Sequence, residues 1–276
     1  MEEFILLFVK WPSVLVSAFF GALFVTIGSL IGLFVFRGRQ KSWVTTIPTI
    51  IGFIVGFQLA QYIIQRVDVY KSVQAALPEM KKAKLVALII SDNPGSSQRL
   101  DTSMENSALR EGSRDGVFRA AREFVRPYLE NYTLNSPPGP IYRMLQQHAQ
   151  VIGELAGQPE ECVKYYLGAP TGPATLEKEA QMKVEVVEAA IKMPDKLQKT
   201  ASNPEILSSL ADIYRQNSFE VGNIQRIPNV YSLPPSEGCA VANQYMQSLT
   251  SLGQDRGAFI FKSLLSKGTF EPNAAR

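Results

Sequence analysis

The sequence predicts an all-α membrane protein: an N-terminal two-helix transmembrane hairpin followed by a compact helical soluble domain. Three observations carry this. Within the 276 residues, segments 11–36 and 42–65 contain no charged residue, and each matches the roughly 20 apolar residues that a helix needs to cross hydrocarbon. No Asp or Glu lies between Phe4 and Gln65, whereas 24 basic and 23 acidic residues follow from position 66 onward. After residue 113, apolar residues return repeatedly at helical spacing. The expected division is a hairpin over 1–65 (spans about 12–36 and 43–65), a helical extension with a polar linker over 66–113, and a helical soluble domain over 114–276.

The first apolar run, WPSVLVSAFFGALFVTIGSLIGLFVF, is too long for a cleaved secretory signal, and it follows Met-Glu-Glu rather than a basic start. The second is SWVTTIPTIIGFIVGFQLAQYIIQ. Trp11 and Trp43 stand at the run ends, where interfacial aromatics belong. The link RGRQK is short, so the two helices should lie antiparallel and side by side. At about 1.5 Å rise per residue, Gly28 and Gly52 then sit at nearly the same height.

Ser17, Gly21, Gly28 and Gly32 form a small-residue stripe on the first helix; Gly52, Gly56 and Ala60 form one on the second. Lipid is as apolar as leucine, so membrane helices associate through close backbone approach, which small residues allow. Helix packing is therefore expected at Gly21, Gly28, Gly32, Gly52 and Gly56, either within the hairpin or between the hairpin and a second copy or partner. Intramembrane polar contacts are expected at Ser17, Gln58 and Gln61, because an amide without a partner is costly in hydrocarbon. No ionisable residue lies deep in either run, which argues against an ion or proton route.

The link carries three basic residues in five. By the density of Lys and Arg it belongs in the cytoplasm, with both termini on the other side. This reading gives an integral membrane protein of the bacterial inner membrane with a periplasmic C-terminal domain, the cytoplasmic placement being the alternative. Cys162 and Cys239, the only cysteines, can form one disulfide in an exported domain or remain two buried thiols.

Beyond the second run, helix is expected to continue to about Ala76, before Pro78. MKKAKLVALIIS reads as helix or strand, and DNPGSSQRLDTSMENSALREGSRDG reads as linker or loop. Helical segments follow: RDGVFRAAREFVRPYLENY, bent or ended at Pro127; PPGPIYRMLQQHAQVIGELAGQ; ATLEKEAQMKVEVVEAAIKM, with Thr175 as cap; NPEILSSLADIYRQN, with Asn203 as cap; and two further segments, each closed by Gly. FEVGNIQRIPNVYSLPP reads as irregular with a short strand, and GAPTGPAT as a stiff turn.

A balance of +1 after residue 65 and a single Lys81-Lys82-Lys84 cluster are not a nucleic-acid footprint. One His cannot build a zinc site of the usual Cys and His type, and no phosphate-binding glycine motif or nucleophile elbow occurs. His148 reads as structural. Glu160 and Glu161 suit a helix N-terminus without catalysis. No catalytic, cofactor-binding or metal residue is therefore assigned, and no cofactor is expected. The function read from the sequence is a membrane-anchored binding or scaffold protein, a subunit or inhibitor in a cell-envelope complex. Its expected partners are membrane lipid and a protein partner or a second copy, not nucleic acid. The alternatives are a tethered enzyme acting on an envelope polymer such as cell-wall glycan, and a small channel or transporter component.

Overall fold

A computed structural model describes residues 2–35, 43–169, 172–195 and 200–267. Among these residues the structure is helical throughout, without strands. In chain order the α-helices are α1 (Glu2–Leu6), α2 (Ser13–Val35), α3 (Trp43–Lys82), α4 (Lys84–Asp92), α5 (Ser96–Glu111), α6 (Arg114–Asn135), α7 (Pro138–Glu154), α8 (Pro159–Tyr166), α9 (Pro173–Lys192), α10 (Asn203–Gln216), α11 (Pro235–Ser251) and α12 (Gln254–Ser266). The chain divides into two compact units, Met1–Ala83 with Pro94–Val125, and Lys84–Asn93 with Arg126–Arg276. The sequence had instead suggested consecutive segments with boundaries after 65 and 113.

In the first unit, α2 packs along α3, and α3 runs for 40 residues. It does not stop before Pro78. Proline removes one i→i−4 hydrogen bond, but Val73 and Leu77 are buried, α5 packs alongside, and Lys81 pairs with Asp101 at 2.7 Å. Tertiary packing thus carries the helix through the proline. The stretch expected as a linker instead contains α5. Its Ser, Asn and Gln content reads as loop, yet Leu100, Met104, Ala108 and Leu109 are buried along one helical face. Gly95 and Gly112, with φ of 82° and 62°, close its two ends. A second cluster of apolar side chains joins Ile5, Phe8, Val16 and Phe20 to Ala60, Ile63, Val67 and Leu109.

The second unit has its own core, built from α7 to α12 around Ile141, Leu145, Ile152, Tyr214, Tyr245, Leu249 and Ile260. The ambiguous apolar run is helix α4: Val86 and Ile89 are buried three residues apart and α4 packs on α9, with Lys84 bonded to Glu188 at 2.7 Å. The irregular segment forms 3₁₀ turns over Val221–Ser232 rather than a strand. Helix α6 continues through Pro127, and the passage from the first unit to the second falls at Val125 and Arg126, within a turn of that proline. Two caps differ from expectation by a short shift. Ser202, not Asn203, caps α10, its hydroxyl accepting from the Glu205 N–H at 3.3 Å. Gly172, not Thr175, precedes α9, because Pro173 supplies the first turn.

Candidate functional site

The α2–α3 pair is the most chemically distinctive feature of the chain. A Cβ added to Gly28 would run into the Pro48 carbonyl oxygen, and one on Gly52 into the Phe24 carbonyl oxygen. One on Gly56 would lie 2.7 Å from the Phe20 carbonyl oxygen. The Gly52 position also lies 3.5 Å from Gly28 Cα, so the two glycines face each other. Each glycine admits the neighbouring backbone itself, which only a residue without a side chain can do here. Gly21 is placed differently, with nothing within 4 Å of its added Cβ. It therefore takes no part in the close approach of α2 to α3. The surroundings of Gly32, and the Arg37–Lys41 link, lie outside the described residues.

A polar pair that the sequence reading missed sits one residue beyond this seam. Ser29 Oγ donates to the Val25 carbonyl at 2.8 Å and lies 3.2 Å from Thr49 Oγ1 across the helices. Its signal was present, since Ser29 follows Gly28 and Thr49 follows Pro48, which faces Gly28. Ser17 is half-buried, whereas Gln58 and Gln61 are exposed on α3. The outward faces of both helices are apolar: Leu23, Ile27, Leu30 and Ile31 on α2, and Ile50, Ile51, Phe53, Ile54, Val55 and Phe57 on α3, are all exposed. Both helices are long and apolar enough to cross a membrane, and 17% of each span is buried inside the protein. A soluble core helix would be mostly covered.

Where the uncharged run ends, α3 is tied to α5. The Arg66 guanidinium lies over the Tyr62 ring at 3.4 Å, and its Nη2 donates to the Arg110 carbonyl at 3.0 Å. Gln65 Nε2 donates to the Gly112 carbonyl at 3.1 Å. Gly112 is required on two counts, its positive φ and the Arg66 side chain 2.7 Å from where a Cβ would stand. The Arg110 carbonyl in the last turn of α5, which has no partner within the helix, and the Gly112 carbonyl just beyond it are thus satisfied by side chains from α3.

In the second unit, Cys162 on α8 and Cys239 on α11 are bonded, with 5.6 Å between their Cα atoms. Both residues are buried in the core. Glu160 and Glu161 occupy the first turn of α8, and Glu161 pairs with Lys164 at 2.8 Å. Nearby, His148 Nδ1 shares a hydrogen bond of 2.9 Å with the Tyr165 hydroxyl. Burial pushes His148 down to about 4, against the opposing pull of Glu179, with Lys183 adding to the fall. Burial likewise raises the Tyr165 hydroxyl, so neither group is charged at neutral pH.

This histidine makes stability depend on pH. Above its ordinary 6.5 it is neutral in both the folded and unfolded chain. As pH falls below 6.5, the unfolded chain takes up the proton first, and stability is lost until the folded form also titrates near 4. The loss between these limits should be on the order of 3 kcal/mol. Thermal melts from pH 7 to pH 4 should show a steeper decline for the native chain than for His148→Gln; parallel declines would remove His148 as the cause.

Among the described residues, no group of three or more His, Cys, Asp or Glu side chains could hold a metal ion. The sequence matches no known protein family, and neither curated proteins nor solved structures are similar to it.

Proposed function

We propose that the chain is a membrane-anchored binding or scaffold protein, with α2 and α3 spanning the bilayer as an antiparallel hairpin and the disulfide-bonded unit held on the non-cytoplasmic side as part of an envelope complex. The observation that carries this reading is the exposed apolar face of α2 and α3, combined with a seam in which backbone meets backbone. Burying such faces in lipid removes their cost in water, and small-residue contact then holds the pair together. The Cys162–Cys239 bond supports the orientation, since disulfides persist in oxidising compartments and are rare in the cytosol.

The test is topological and uses the full chain. Ser208, exposed on α10, is changed to Cys, with the parent chain as control. The protein should resist alkaline carbonate extraction from membranes. In spheroplasts, an impermeant maleimide should label Ser208→Cys without lysis and leave the parent unlabelled. Release by carbonate would sink the hairpin anchor. Labelling of Ser208→Cys only after lysis would place the unit in the cytoplasm, and reaction of the parent once denatured would show its buried cysteines to be reduced.

A further inference from the structure

The segment from Glu2 to Trp11 leads into the first apolar run, which begins at Trp11, and Glu2, Glu3 and Lys10 set it apart from that uncharged run. The structure gives it a definite place. Its inward residues, Ile5 and Phe8, are buried, and they pack with Val16, Phe20, Ile63, Val67 and Leu109. Those contacts fix its level. Ile63 and Val67 bracket Gln65 and Arg66, where the uncharged run of α3 ends and the hydrogen bonds to α5 begin. The segment therefore lies beside α3 at the height where the proposed span leaves hydrocarbon.

Its outward residues are also apolar. Phe4 is 46% exposed, Leu7 67% and Trp11 40%. The rings form a connected edge-to-face series, Phe4 to Phe8 at 5.3 Å, Phe8 to Trp11 at 5.4 Å and Trp11 to Phe19 at 5.8 Å. Phe19 belongs to α2, so the exposed aromatic surface passes directly from Trp11 onto the apolar face of the hairpin, while Phe4 joins the series through the buried Phe8. Charges flank it. Glu2 pairs with Arg110 at 3.9 Å, and Lys10 is exposed. A short segment that is apolar on both faces, rich in aromatic rings and bordered by charges matches the boundary between acyl chains and headgroups, where Trp and other amphipathic side chains place a ring in lipid and a polar tip in water.

We propose that residues 2–11 form an in-plane lipid-binding collar, whose occupant is the interfacial layer of the bilayer and whose role is to set the depth at which α3 emerges and meets α5. This rests on the hairpin reading above. The inner residues attach the collar to the protein; Phe4, Leu7 and Trp11 attach it to the membrane.

Trp11 and Trp43 are the only tryptophans, so each reports its own depth once the other is changed to Phe. The full chain is reconstituted into phosphatidylcholine vesicles containing a minority of phosphatidylglycerol. Quenching is measured with lipids brominated near the headgroup end of the acyl chains, with lipids brominated near the chain ends, and with aqueous iodide. In Trp43→Phe, the remaining Trp11 should be quenched more by the shallow bromines than by the deep ones, and only weakly by iodide. Adding Leu7→Glu should shift Trp11 towards iodide quenching. Strong iodide quenching of Trp11 without quenching by either bromolipid, while Trp43 in Trp11→Phe responds to bromolipid, would overturn the collar and leave the hairpin standing. Stronger quenching by the deep bromines would overturn it by placing the segment in hydrocarbon. If neither tryptophan responds to bromolipid, the hairpin reading itself falls and the collar with it.

Discussion

Gly52→Leu is expected to separate α2 from α3 and to abolish most crosslinking between cysteines placed at Ser29 and Thr49. The two hydroxyl oxygens are 3.2 Å apart, so the Ser29→Cys, Thr49→Cys pair should crosslink readily in the otherwise native hairpin. At Gly52 the first atom of any side chain already meets the Phe24 carbonyl. That atom is backbone, so no rotamer change can relieve the clash, and the helices must move apart. Overpacking in a filled interior typically costs about 1–3 kcal/mol, and in the bilayer setting proposed above no hydrophobic force would draw the helices back together. Gly52→Ala should act in the same direction, because the conflict is with Cβ itself. Gly21→Leu is the control: with nothing within 4 Å of the added Cβ, it should leave the crosslink intact. Undiminished crosslinking in Gly52→Leu would show that the seam tolerates a side chain and that close approach does not hold the pair.

The contrast between Gly52 and Gly21 shows what the sequence could and could not reveal. Depth along a helix follows from counting residues, and counting put Gly28 opposite Gly52. Rotation about the helix axis is set by packing, and Gly21 shares the spacing of its neighbours while facing elsewhere. The same limit applies to Gln58 and Gln61, whose exposure on α3 was not legible. Helix α5 was missed for another reason. Its polar residues are its solvent face, and its four apolar contacts make sense only beside α3, which the linear sequence does not display. Pro78 misled similarly: a proline predicts a boundary only when neighbouring contacts do not hold the helix together, and Leu77 and Lys81 hold it here. The helical character of the C-terminal part was legible because it rests on periodicity within each segment. The aromatic series from Phe4 to Phe19 was not, because it depends on how the short segment before α2 packs against that helix.

Reduction of the Cys162–Cys239 bond should produce a large loss of stability in the second unit without altering its core packing. The bond closes a loop of 77 residues. In the chain-entropy description, opening a loop of that size frees the unfolded chain by about 4 kcal/mol. For a unit of this size each kcal/mol corresponds to roughly 2–4 °C in melting temperature, so a fall of about 10 °C is expected. Both cysteines are buried between α8 and α11, so the native fold keeps the sulfurs in contact and the effect acts mainly through the unfolded state. The Cys162→Ala, Cys239→Ala double variant should therefore melt in oxidant where the native chain melts in reductant, and should be indifferent to reductant itself. Equal melting of the native chain in both conditions would deny the bond any stabilising role. The compartment enters the same balance. A unit that needs this bond at growth temperature is most secure where disulfides persist, so a large fall on reduction strengthens the case for the non-cytoplasmic side, and a negligible one leaves the orientation to rest on the basic link alone.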